Sequence, residues 1–174
     1  WTLEPRIGMK WQATFRSSFA LAYGLHSRME KMDVYYTQTP QTGDKLANKD
    51  LDFTKANHFM LTFDYKISND MILKIEPYYQ FLFDVPVRPN DSYSVLNRED
   101  FYVEDALVNR GRGKNVGVDV TLERYLNRGY YYMFTGSLFN SRYCGGDGVW
   151  HDTKFNRNFI LNLLGGKEWM MGRN

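Results

Sequence analysis

Residues 57–83 constrain the fold more than any other part of the chain, because two long arms of alternating side chains flank one short polar break. The first arm has an apolar row, Phe59, Leu61, Phe63, Tyr65 and Ile67. The second arm, after the break at Asn69-Asp70, has another, Met71, Leu73, Ile75, Pro77, Tyr79, Phe81 and Phe83. Side chains that alternate in polarity with a period of two residues indicate a β-strand, and Asn and Asp tolerate the backbone angles of tight turns. The stretch therefore predicts a β-hairpin with a two-residue turn.

The length of the two arms favours a membrane environment. Each arm runs to about 11 to 14 residues, whereas an ordinary strand has about 5 to 6 and a tilted strand crosses a bilayer with about 9 to 11. The chain of 174 residues contains no apolar run of roughly 18 residues, so a transmembrane helix is excluded. The mean hydropathy of −0.53 still fits a membrane barrel, whose strands alternate in polarity.

Composition also limits the possible partners. The net charge of +2 gives no electrostatic case for nucleic acid. The single cysteine, Cys144, excludes an internal disulfide and a cysteine-based zinc site, and we expect it to be an unpaired loop thiol. Aromatic residues make up 17% of the chain, which suits strands and membrane interfaces.

Further alternating stretches predict strands on both sides of the hairpin, at residues 6–12, 18–26, 116–125, 130–138 and 158–163. With the two arms of the hairpin, the total is about seven strands. Long polar connections lie at residues 27–52, 86–105 and 144–152, and the second of them is acidic. Short and long connections alternate, so all tight turns fall at one end of the sheet, as in outer-membrane barrels.

Six aromatic residues lie near the short-turn end and are expected to form one level of an aromatic girdle: Trp11, Tyr65, Tyr125, Tyr130, Tyr132 and Trp169. Two alternatives stay open. A small soluble β-barrel or sandwich that binds an apolar ligand has the same alternation with the apolar row inside. A structural outer-membrane protein without a pore is the other.

Several segments, in this order along the chain, resemble the C-terminal barrel half of TonB-dependent outer-membrane receptors. They are Glu4-Pro5-Arg6-Ile7-Gly8 to Trp11-Gln12, Ala22-Tyr23-Gly24-Leu25-His26-Ser27, Lys74-Ile75-Glu76-Pro77-Tyr78-Tyr79-Gln80, Asn115-Val116-Gly117-Val118-Asp119, Phe155-Asn156-Arg157, and Leu163-Leu164-Gly165-Gly166-Lys167-Glu168-Trp169. The resemblance implies an all-β fold, an antiparallel up-and-down meander of about seven long strands forming a sector of a larger transmembrane β-barrel. Residues 1–174 are then one partial barrel domain, a fragment of a larger receptor without its plug.

The resemblance also implies a location and partners. We expect the bacterial outer membrane, with membrane lipid, the rest of the barrel and plug, and the TonB complex, reached through the N-terminal part of the receptor, as partners. The implied function is uptake of a scarce ligand such as a metal chelate. The sequence contains no catalytic motif and indicates no enzyme, cofactor or metal site, since His26, His58 and His151 fall on different strands or loops.

Two groups of residues are candidates for contact with the plug or ligand. If the apolar row faces lipid, six charged residues face the lumen: Asp64, Lys66, Lys74, Glu76, Asp119 and Glu123. Ligand contact is expected from loop aromatic residues and a basic cluster: Tyr35, Tyr36, Tyr93, Phe101, Tyr102, Arg110, Arg112, Lys114 and Trp150. Neutralisation among the six charges, packing of loop on loop, and pairing of the basic cluster with Glu104 or Asp105 are the simpler alternatives.

Overall fold

The computed structural model describes residues 1–39, 46–98 and 103–169. Within these ranges the chain forms one sheet of eight strands. The strands are β1 Arg6–Gln12, β2 Ser17–Arg28, β3 Thr54–Lys66, β4 Met71–Val87, β5 Val108–Asn127, β6 Tyr130–Cys144, β7 Trp150–Asp152 and β8 Phe159–Lys167. A four-residue helix, α1 Met32–Tyr35, and a 3-10 turn at Val95–Asn97 lie in the long connections.

The sheet is an antiparallel meander in which each strand from β1 to β7 pairs with the next in sequence. Both β7 and β8 pair with β6, β7 along Arg142–Cys144 and β8 along Tyr130–Leu138. They are therefore two pieces of one interrupted edge strand, and the eight strands fill seven positions in the sheet. The predicted meander of about seven strands is confirmed.

Several predicted strand boundaries are wrong, and two of them change the connections. The short connection of the central hairpin spans residues 67–70 and not two residues. Met71 O accepts from both Ile67 N, at 2.9 Å, and Ser68 N, at 3.3 Å, so the regular pairing ends at Lys66 and Ile72. Strand β5 begins at Val108 and not at 116, because Val108 pairs with Val87 and extends the ladder. The acidic connection is therefore residues 88–107, two residues further along the chain than predicted.

The three short connections lie at one end of the sheet and the long ones at the other, as the alternation predicted. Hydrogen bonds join neighbouring turns, from Lys66 N to Arg16 O at 2.8 Å and from Tyr125 N to Asp70 O at 2.9 Å. The short-turn end is therefore a continuous hydrogen-bonded rim.

The two faces of the sheet differ sharply. On one face, aromatic rings continue from strand to strand: Trp11 lies 5.9 Å from Phe19, and Phe19 lies 4.9 Å from Phe63. Phe59, in the same row as Phe63, is 49% exposed although β3 lies inside the sheet. Because the row is open to its surroundings, the alternative of a closed soluble barrel or sandwich with this row inside is not favoured.

Most of the expected aromatic level lies at the short-turn end of the apolar face, with one exception. The rings of Tyr65 and Phe63 are 6.3 Å apart and stacked on that face. Tyr125 instead follows Glu123 on the opposite, polar face, and both border a groove there. The prediction that Tyr125 joins the girdle is therefore wrong, because its position in β5 has the parity of the polar row.

The buried side chains concentrate at the long-loop end of the described residues. Val34 of α1 packs with Val103 and Leu107, with Leu51, Tyr93 and Val95 around them. Cys144 is the last residue of β6 and is buried, so the expectation of a loop thiol is wrong. The helices of the described residues are all too short to span a membrane.

Candidate functional site

The polar face carries all six charged residues predicted to share one row. The register places Asp64 opposite Lys74 and Glu76 opposite Asp119. Lys74 Nζ lies 2.9 Å from Glu76 Oε1, and that oxygen also accepts a hydrogen bond of 3.2 Å from Thr62 Oγ1. The remaining two, Lys66 and Glu123, border the same groove as Asp64 and Lys74. Among the ion pairs of the described residues, one joins two of the six, Lys74–Glu76, while the register also sets two carboxylates, Glu76 and Asp119, opposite each other.

A chain of hydrogen-bonded polar side chains crosses the same face nearer the long-loop end. Thr153 Oγ1 donates to Ser141 Oγ at 2.9 Å, and Ser141 Oγ donates to Asn115 Oδ1 at 2.6 Å. Asn115 Nδ2 donates to Gln80 Oε1 at 2.6 Å. Gln80 Nε2 lies 2.6 Å from His58 Nε2. We call these five residues the polar ladder; it spans β3 to β6 and the segment after β7.

The polar ladder ends at the imidazole of His58. Gln80 contacts it through Nε2, while Gln80 Oε1 accepts from Asn115 on the other side. The ring of His26 lies 4.7 Å from the ring of His58, on the neighbouring strand. The sequence places His26 and His58 each in the row opposite the apolar one, but the contact between the two rings depends on the register between β2 and β3.

The long connections β2–β3 and β4–β5 pack on each other through polar contacts as well as the apolar cluster. Thr37 Oγ1 donates to Val103 O at 2.6 Å, and Asn48 Nδ2 donates to Asp105 O at 3.0 Å. Arg98 and Asp33 form an ion pair between the two connections, and the hydrogen bond from Arg98 lowers the pKa of Asp33. The two loops therefore form one packed unit.

The loop aromatic residues predicted to contact ligand occupy different environments. Tyr35 lies in α1, and its hydroxyl accepts a hydrogen bond of 3.4 Å from Glu30 N. The side chain of Tyr36, next to it, is exposed. Tyr93 packs against the apolar cluster with the Arg88 guanidinium 5.0 Å from its ring centroid. Phe101 and Tyr102 lie outside the described residues.

Arg88 is the first residue of the β4–β5 connection and pairs with two carboxylates of that connection. Its guanidinium lies 2.5 Å from Asp91 Oδ2 and also pairs with Asp105. The hydrogen bonds to Asp105 and Asp91 raise the pKa of Arg88, and the same contact lowers the pKa of Asp91. Asp105 is therefore engaged by Arg88, and the ion pairs of the described residues include none from Arg110, Arg112 or Lys114 to Glu104 or Asp105.

The basic cluster predicted to meet an anionic ligand lies on the face opposite the polar ladder. Arg112 and Lys114 share the parity of Val116 in β5, whereas Asn115 points to the polar face with Gln80. The structure brings both cations to Trp150, with Lys114 Nζ 4.6 Å and Arg112 Cζ 5.9 Å from its ring centroid. A third cation, which sequence reasoning missed, contacts the same residue: Arg142 Nη2 donates to Trp150 O at 3.0 Å.

The described residues contain no cluster of three or more His, Cys, Asp or Glu side chains with the spacing of a metal site. The side chains of the polar face offer hydrogen bonds and charges to a molecule that lies against it. An antiparallel meander with one open apolar face and one hydrogen-bonded polar face has the architecture of a β-barrel wall.

Solved structures share this architecture. The ferric-catecholate import receptor Fiu from E. coli K12, in its closed form, superposes with a TM-score of 0.64 and 9% identity over 92% of this chain. The FrpB iron transporter from Neisseria meningitidis superposes with a TM-score of 0.58 and 16% identity over 85% of this chain. No protein-family model and no curated protein matches the sequence.

The chain spans about a fifth of those two structures, 21% of each. It has the fold of one sector of their barrels, and the fold expected from the resemblance to TonB-dependent receptors is confirmed.

Proposed function

We propose that this chain forms part of the wall of a TonB-dependent transporter in the bacterial outer membrane. One observation carries the proposal: Leu138 and Ser137 are neighbours in β6 and face opposite environments. Leu138 is 61% exposed in the apolar row beside Val118, while Ser137 pairs with Asp119 on the polar face. A sheet that exposes its apolar row and satisfies its polar row suits lipid outside and a wet lumen inside.

The open edges of the sheet support a larger barrel. Among the described residues, β1 pairs with β2 only, and β8 pairs with β6 only. An unpaired edge that faces lipid is costly, because the bilayer core offers no hydrogen-bonding partner. Further strands of the complete receptor therefore close the barrel on both sides of this sector.

The proposed mechanism is binding followed by gated passage, with no covalent step. The polar face meets the plug of the complete receptor, and the long loops contact the ligand from outside through Tyr35, Tyr36 and Tyr93, with Phe101 and Tyr102 of the second loop. A metal chelate is the proposed ligand class, supported by the names of the two structural neighbours, a ferric-catecholate import receptor and an iron transporter. The TonB complex energises passage through the N-terminal part of that receptor.

The orientation of the two faces is tested by spin labels at Leu138→Cys and Ser137→Cys. Each is placed in the complete gene product, carrying Cys144→Ser and reconstituted in phospholipid vesicles. We expect a label at position 138 to relax with dissolved oxygen, which concentrates in lipid, and a label at 137 to relax with a water-soluble nickel chelate. Strong relaxation of both labels by the nickel chelate would contradict the proposal.

Transport is tested separately by uptake of a radiolabelled ferric catecholate into cells that carry the complete gene as their only receptor. We expect accumulation that depends on a functional TonB complex. Accumulation that persists without TonB, or none for any ferric chelate, would show that the sector belongs to another kind of barrel.

A further inference from the structure

A patch of positive charge continues the apolar face at the long-loop end of β5 and β6. We call it the basic patch and define it by Arg110, Arg112, Lys114, Arg142 and Trp150. The first three alternate along β5 in the same row as Val116, and Lys114 pairs with Arg142 across the two strands. The basic patch therefore follows directly on a row of apolar side chains and faces the same way.

Trp150 holds the basic patch together. Its ring lies within cation–π distance of Lys114 and Arg112, and its carbonyl oxygen accepts from Arg142. Among the ion pairs of the described residues, one reaches the patch, from Arg142 Nε to Asp152 Oδ1 at 3.2 Å. Four cations thus share one carboxylate, and the patch keeps a net positive charge that a bound anion would neutralise.

We propose that the basic patch binds the anionic phosphate headgroups of lipids in the leaflet that surrounds the long-loop end of the barrel. The inference rests on the proposed function, because it needs the apolar row to lie in lipid. Lys114 is two residues from Val116, about 7 Å along the strand, which places its ammonium group where hydrocarbon gives way to headgroups. Cations at that depth attract anionic lipids, and an indole ring favours the same interface.

The orientation of the basic patch argues against the imported ligand as its partner. Arg112 and Lys114 point away from the polar ladder, and therefore away from the face proposed to line the passage. The carboxylate of Asp105, in the acidic connection before β5, is paired with Arg88. The anion that cations on the outer face of a barrel wall meet is a lipid headgroup.

The test measures lipid retained by the complete receptor after extraction from vesicles of phosphatidylcholine with phosphatidylglycerol, counted by native mass spectrometry. Arg112→Gln/Lys114→Gln removes two charges from the patch. The matched control, Lys10→Gln/Lys66→Gln, removes two charges from exposed lysines that border the groove on the opposite face. We expect the patch variant to lose about 25-fold in preference for phosphatidylglycerol, about 5-fold per cation, and the control to keep it.

Equal preference in the wild-type receptor for the two lipids, or equal loss in both variants, would overturn the inference. Preference that persists in the patch variant would overturn it as well. Inorganic phosphate alone, added to lipid-free receptor in neutral detergent, should give no saturable binding that the patch variant abolishes. The spin-label experiment distinguishes failure of this inference from failure of the proposed function. If the label at position 138 lies in lipid and the receptor shows no headgroup preference, the inference fails and the proposed function stands.

Discussion

Asn115 and Gln80 lie opposite each other on β5 and β4, and their side-chain amides are joined by a hydrogen bond of 2.6 Å. Asn115 also accepts from Ser141, so its amide uses both a donor and an acceptor within the sheet. Each amide fixes the orientation of the next, because an amide that flipped would oppose donor to donor. The polar ladder is therefore a directed network that holds three neighbouring strands in one register.

Replacing the central amide tests the energetic value of the polar ladder. Asn115→Leu leaves Gln80 and Ser141 without their partner, and we expect the free energy of unfolding to fall by about 1 to 3 kcal/mol. The measurement is the urea midpoint of the complete protein folded into phospholipid vesicles. Asn140→Leu is the matched control, since Asn140 pairs with Val116 on the opposite face of the sheet. Equal losses in the two variants would show that the network adds no stability.

A charge placed on each face distinguishes lipid from water. We expect Leu138→Lys to cost about 2 to 4 kcal/mol of folding free energy in vesicles, the range for a lysine in the lipid-facing row near the middle of the bilayer. Ser137→Lys, its neighbour, faces Asp119 and should cost far less. The same urea titration reports both. Because Leu138 is already 61% exposed, a small cost for Leu138→Lys would mean that its surroundings are aqueous.

Gly111 of β5 lies so close to the neighbouring strand β4 that no room is left for a side chain. A Cβ atom built there lies 2.3 Å from Val87 Cγ1 and 2.8 Å from Val85 O. Gly111→Ala must shift backbone, and we expect a loss of about 1 to 3 kcal/mol of stability. Gly8→Ala is the control, because its nearest atom lies at 3.7 Å. The thermal unfolding midpoint of Gly111→Ala should be clearly lower than that of Gly8→Ala. Similar midpoints would mean that the paired strands β4 and β5 accommodate the methyl group without loss of stability.

Asp70 gives the short-turn end a dependence on pH. Its carboxylate accepts hydrogen bonds from Ser68 Oγ at 2.6 Å and from Asn127 Nδ2 at 2.9 Å, and Arg124 Nε lies 3.0 Å away. The bonds from Ser68 and then Asn127 lower the pKa of Asp70 from 3.8 to about 2. A lowered pKa means that the stabilising contribution is complete above about pH 4 and is lost as the pH falls towards 2.

The measurement is an NMR titration of the Asp70 side-chain carbonyl carbon in detergent micelles. Ser68→Ala and Asn127→Ala should each raise the pKa of Asp70 towards its ordinary value. Thr14→Ala, in the neighbouring β1–β2 turn, should leave it unchanged. A titration of Asp70 near pH 4 in the wild-type protein would contradict its hydrogen bonds from Ser68 and Asn127.

Alternation along the chain was enough to predict most of the fold. The repeat of two in residues 57–83 fixed the faces of β3 and β4, and the spacing of polar segments placed short turns at one end. Within each strand the charged residues of the polar row share a face because parity follows from backbone geometry: Asp64 with Lys66, Lys74 with Glu76, and Asp119 with Glu123. The predictions that failed lie at strand ends. Ile67 left its strand and Val108 joined one, because terminal pairing depends on neighbours that are distant in sequence.

Register and packing between distant segments were decided by the tertiary structure. The polar ladder requires Gln80, Asn115 and Ser141 to meet across three strands, and a shift of one residue would turn each to the opposite face. The packing of Val34 on Leu107 and of Trp150 on Lys114 likewise joins residues that are distant in sequence. Local periodicity determined which residues share a face in each strand. Pairing between strands determined which of them touch, because the free energy of a cross-strand pair depends on the side chains of both strands.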